Sequence, residues 1–112
     1  MKNINGVLTK QNNQYIIINN GEDINLSNEL EHYYLKDTPL HLQISDGKRI
    51  IVNESGELFF AKDASGKWVY HFNWINIEDI FDRKIGSLIE VAIAVITKEK
   101  EESEYGQKIY AS

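Results

Sequence analysis

A chain of 112 residues with 42% hydrophobic and 26% charged content has room for one ordinary globular core and not for two. It contains no cysteine, which excludes disulfides, thiolate nucleophiles and thiolate metal sites together and suits a reducing compartment such as the cytoplasm. Its net charge of −5 supplies no cationic excess to displace counterions from a polyphosphate, so no nucleic acid partner is expected.

The opening Met1-Lys2-Asn3-Ile4-Asn5-Gly6 has no apolar stretch behind its lysine and does not read as a secretion signal. The longest apolar run, Leu88 to Ile96, is interrupted by Glu90 and falls far short of the ~20 residues a bilayer crossing needs, so no membrane partner is expected either. Lys outnumbers Arg, Ile outnumbers Leu, and Asn is abundant, a bias that suggests an A/T-rich coding sequence from a low-GC bacterium or its phage.

In chain order, Val7-Leu8-Thr9 and Tyr15-Ile16-Ile17-Ile18 flank Lys10-Gln11-Asn12-Asn13 and predict a hairpin. A helix is predicted near Ser27 to Leu35, because Leu26, Leu30, Tyr33 and Tyr34 recur at i, i+4, i+7 and i+8 and Ser27 or Asn28 can cap it. The turn Asp37-Thr38-Pro39 leads into the alternating strand Leu40, Leu42, Ile44. Asp46-Gly47 predicts a two-residue loop to the strand Arg49-Ile50-Ile51-Val52. Reversals at Glu54-Ser55-Gly56 and Asp63-Ala64-Ser65-Gly66 complete an expected four-strand meander from about Leu40 to Trp74. The second helix is predicted over Ile77 to Lys84, with Asn76 as cap, Glu78 and Asp79 at its positive end, and Arg83, Lys84 and Gly86 at the other. A strand carrying Ile89, Val91 and Ile93 follows.

The fold class is therefore α+β: a strand-rich antiparallel single domain over residues 1–96 with two short helices, followed by a charged extension over 97–112. The stretches 6–45 and 56–96 share a ββαβ order at a nearly constant offset, which suggests a duplicated unit joined by the extra strand Arg49 to Val52. The expected core includes Ile17, Leu30, Leu42, Ile44, Phe81, Val91 and Ile93.

The sharpest candidate for an interaction surface is Trp68-Val69-Tyr70-His71-Phe72-Asn73-Trp74, whose alternate rings Trp68, Tyr70, Phe72 and Trp74 should project from one strand face, with Leu58 and Phe60 beside them. Such a face is also what a sheet buries under helices. A core this small does not need all four rings, and Trp74, at the strand end, is the one expected at solvent, with Trp68, Tyr70, Phe60 and His71 as further partner-binding candidates. His32, His41 and His71 form no HxH or HxxxH pair, so no metal is expected. Neither a Gly-rich phosphate loop nor a nucleophile elbow appears, and no cofactor is expected; His71 beside Glu57 is an acid–base pair without specificity. These features suggest a non-catalytic protein that binds another protein, in its most concrete form a small accessory or inhibitor protein. The alternatives are a protein that sequesters a small molecule between the two half-units or at a dimer interface, stacking a planar group on the aromatic row, and one that assembles with its own copies through edge strands.

Overall fold

The computed structural model of the chain describes residues 1–96; the charged stretch Thr97 to Glu104 and the edge strand expected over Gln107 to Tyr110 lie outside the described residues. The elements run β1 (Lys2–Gln11), β2 (Gln14–Asn19), β3 (Glu22–Asn25), α1 (Leu26–Lys36), β4 (Leu40–Ser45), β5 (Ile50–Gly56), β6 (Leu58–Lys62), β7 (Trp68–Phe72), β8 (Ile75–Asn76), α2 (Ile77–Arg83) and β9 (Leu88–Val95). Antiparallel pairing arranges them as a six-stranded sheet, β3-β2-β1-β9-β4-β5, and a three-stranded sheet, β6-β7-β8. The α+β class with strands dominant is what the sequence predicts.

At the centre of the large sheet β4 lies against β9, with Leu42 opposite Ile93, Ile44 opposite Val91 and Leu40 opposite Val95. All seven expected core residues are buried, and the alternation of β1, β4 and β9 puts Ile4, Leu8, Leu40, Leu42, Ile44, Ile89, Val91 and Ile93 into one cluster. Leu26 and Leu30 of α1, Ile77 and Phe81 of α2, and Leu58 and Phe72 of the small sheet close the same cluster. Helices and small sheet therefore cover one face of the large sheet, and the other face carries Asn3, Asn5, His41, Gln43, Asn53 and Ser55.

The two stretches are built alike around this ladder. In each, a two-stranded hairpin feeds a short strand, then a helix whose N-cap is an asparagine: Asn25 Oδ1 accepts from Asn28 N at 2.9 Å, and Asn76 Oδ1 accepts from Asp79 N at 3.0 Å. The second helical residue of each then accepts an N–H from the hairpin, Ser27 Oγ from Tyr15 N at 2.9 Å and Glu78 Oε2 from Tyr70 N at 2.6 Å. Asn76 is the cap expected; for α1 the cap is Asn25 and not Ser27 or Asn28, because Leu26 must already be helical to bury. The first strand of the first stretch crosses to the second, β1 pairing β9, and the joining strand β5 pairs β4 of the first.

Two expected turns are corrected. Glu54-Ser55-Gly56 is no reversal: among the described residues β5 pairs only β4, and the chain continues into β6, which pairs only β7, so the meander from Leu40 to Trp74 is divided between two sheets. The glycine at position 56 serves close approach, because a Cβ there would strike the Asn73 side chain. The Asp46-Gly47 loop spans four residues, with Ser45 pairing Ile50, and Asp46 Oδ1 accepts from both Lys48 N and Arg49 N at 3.1 Å. Asp46 also accepts from Lys84 Nζ at 3.0 Å, tying this loop to the end of α2. The tight turn at Asn20-Gly21, both at positive φ, makes the unforeseen β2–β3 hairpin.

Gly6 marks the point where β1 passes from pairing β9 to pairing β2. Its φ is +150°, and a Cβ would strike Ile18 O and lie 2.8 Å from Ile17 Cγ2. Gly6→Ala is therefore expected to lower stability by at least about 2 kcal/mol, read as a lower denaturant midpoint at unchanged slope. A second expectation concerns acid. Hydrogen bonds from Lys84 and then from the Lys48 and Arg49 backbone bring Asp46 from an ordinary 3.8 down to about 2. A carboxyl depressed on folding contributes stability that is complete above its unfolded value and lost as pH falls towards its folded one. Between pH 3.8 and about 2 the wild-type protein should lose stability that Asp46→Asn does not lose, measured by thermal unfolding across that range.

Candidate functional site

The aromatic row does not project from one side. β7 ends at Phe72, and Asn73, at φ 55°, turns the chain so that Phe72 can pair Ile75 in β8. Alternation holds only while backbone stays extended, so the fourth ring leaves the face of the other three. Trp74 instead meets Phe59 edge-on at 5.9 Å between ring centres, and Phe59 stacks on His71 at 5.3 Å and 14°. Trp74 is 91% exposed, as expected for the ring at the strand end.

Asn73 holds this corner in place. Its Oδ1 accepts from Glu57 N at 3.3 Å, and its Nδ2 donates to Glu54 Oε2 at 3.0 Å and Ser55 O at 3.2 Å. Glu54, Gly56, Glu57, Phe59, Asn73 and Trp74 together line a shallow groove of about 620 Å³. The corner is thus aromatic and acidic. His71 does not turn to Glu57: its Nδ1 lies 3.1 Å from Val69 O and its ring face is on Phe59.

The remaining candidates lie on the other side of the small sheet. Phe60 stacks on Trp68 at 5.9 Å and 16° and meets Tyr70 at 4.8 Å, while Tyr34 of α1 reaches Tyr70 edge-on at 5.7 Å. Phe72, at the inner end of the row, is fully buried; Trp68, at the outer end, is 54% exposed, with Lys62 Nζ 5.6 Å from its ring centre. Phe60, Trp68 and Tyr70 line a groove of about 290 Å³ between the two half-units, together with Tyr15 and Leu30. Burial, then the carboxylates of Glu31 and Glu78, pushes the Tyr70 phenol above its ordinary value. Tyr15 is raised much further, by burial and by donating to Asp82 Oδ1 at 2.7 Å.

One arrangement is missed by sequence reasoning. On the open face of the large sheet His41 Nε2 lies 2.7 Å from Asn53 Oδ1 and Nδ1 lies 2.9 Å from Ser55 Oγ. The Asn53 oxygen only accepts, so Nε2 donates to it, and the serine hydroxyl, which can donate or accept, suits Nδ1. Only the β4–β5 register, His41 opposite Ser55, brings the three together, and the contacts tie the two strands side by side.

Among the described residues no group of three or more His, Asp or Glu is placed to hold a metal ion, and no helix is long and apolar enough to cross a membrane. Comparison with family models, curated proteins and solved structures finds no match to this chain.

The two tryptophans should report their surroundings separately. With Trp68 replaced by Phe, the remaining Trp74 emission is expected to be red-shifted and quenched by acrylamide almost as efficiently as free tryptophan. With Trp74 replaced by Phe, Trp68 should be quenched markedly less, its ring being shared between Phe60 and Lys62.

Proposed function

We propose that this chain is a non-catalytic binding protein that acts by covering a site on another protein, with the Trp74 corner as its contact surface. The observation that carries this reading is a 91% exposed indole on a fixed turn, backed by Phe59 and His71. A tryptophan held this way offers a large apolar area and loses little rotamer freedom on contact, which is why such residues anchor interfaces. Glu54 and Glu57 in the same groove favour a basic partner surface, in keeping with the net charge of −5. The finer assignment, an accessory or inhibitor protein of a low-GC bacterium or its phage, rests on composition and small size.

A photo-crosslinking amino acid at position 74 identifies the partner, and calorimetric titration then compares wild type with Trp74→Ala. The substitution is expected to leave the melting temperature within a few degrees while weakening the complex by more than about 1 kcal/mol. Unfolding of the variant would return Trp74 to a structural role, and an unchanged affinity would remove it as the contact.

A further inference from the structure

The groove between the half-units lies apart from the Trp74 corner, and its lining is chemically particular. One wall is aromatic, with Phe60 and Trp68 stacked nearly parallel and Tyr70 tilted against Phe60. Two carboxylates, Glu31 of α1 and Glu78 of α2, line the same space, and among the described residues neither has an ion-pair partner. Glu78 spends one oxygen on Tyr70 N and keeps the other. Lys67 is the single cation in the lining, while Lys62 and Lys10, outside it, already lie over the Trp68 and Tyr15 rings at 5.6 and 5.0 Å. Elsewhere the balance is different: in the pocket of Arg49, Arg83 and Lys84, the last two are already neutralised by Asp79 and Asp46.

We propose that this groove is a binding site for a small planar cation, a protonated or amidinium-bearing aromatic ring system. Ring faces carry negative quadrupole density, so the Phe60–Trp68–Tyr70 wall attracts a flat cation and repels an anion, and the two carboxylates act in the same sense. At about 290 Å³ the groove sits at the lower end of ligand-pocket sizes and admits one or two fused rings. It is also preformed, because the N–H groups of Tyr15 and Tyr70 fasten its two sides to Ser27 and Glu78. The sequence alternative of a planar group stacked between the half-units thereby acquires a charge.

The probe is benzamidine, a planar cation, with neutral benzamide and anionic benzoate as isosteres, followed by nuclear magnetic resonance on the full chain through the Trp68 indole N–H and the Tyr70 amide. Benzamidine is expected to shift both signals saturably, with benzamide and benzoate at least about fivefold weaker. Glu31→Gln, at an exposed position, should weaken benzamidine by at least about threefold, and Trp68→Ala by more. Should Trp68→Ala fail to fold, Glu31→Gln decides. Trp74→Ala, which removes the proposed partner anchor, should leave benzamidine binding unchanged, so failure of either idea is seen without the other. No saturable shift, equal binding of benzoate, or shifts centred on Trp74 would overturn the assignment. So would displacement of benzamidine by a protein partner captured at position 74, since the groove would then hold a side chain of that partner.

Discussion

The pairing of β4 with β9 is the constraint on which the rest of the molecule depends. Leu40, Leu42 and Ile44 on one strand and Ile89, Val91 and Ile93 on the other are all buried, and each such side chain is worth about 1.5–3 kcal/mol against exposure to water. Neither half completes this core by itself. β9 receives β1 on its other side and β4 receives β5, so the last strand of the second half is flanked by two strands of the first, and the joining strand closes the sheet beyond β4. Both helices then settle on the seam through Leu26, Leu30, Ile77 and Phe81, and the Tyr15 hydroxyl reaches from the first half to Asp82 in the second.

What was legible in the sequence followed from repeating patterns. Helix periodicity located both helices with Leu30 and Phe81 on their buried sides, strand patterning identified five more buried residues, and Asn76 announced its own cap. What was not legible depended on distant neighbours. Glycine marks both a chain reversal and a close approach of backbone to another group, and only the presence of Asn73 above Gly56 distinguishes them. Asn25 was passed over as a cap because the local sequence offers three capping residues in four positions, and burial of Leu26 selects among them. The His41 contacts were invisible for the same reason, since they exist only once β4 and β5 take their register.

The candidate surfaces show how one backbone angle divides a set of side chains. Four aromatic residues at even positions look like a single stripe, and three of them are one. The left-handed Asn73 sends Trp74 to the side of Phe59 and His71 and leaves Trp68 and Tyr70 with Phe60 and the helices. A stripe that would have been either all core or all surface becomes a buried end at Phe72 and two separate exposed groups.

The central place of β9 has a consequence for how the chain is made. A ribosome delivers β1 and β4 long before Leu88–Val95 emerges, and in the finished sheet both of those strands hydrogen-bond to β9. Until then each of them presents an open edge lined by apolar residues to the crowded space around the exit tunnel, the condition under which nascent chains pair with each other or recruit chaperones. The large sheet therefore closes only after β9 arrives, by long-range contacts whose closure is slow relative to local hairpins.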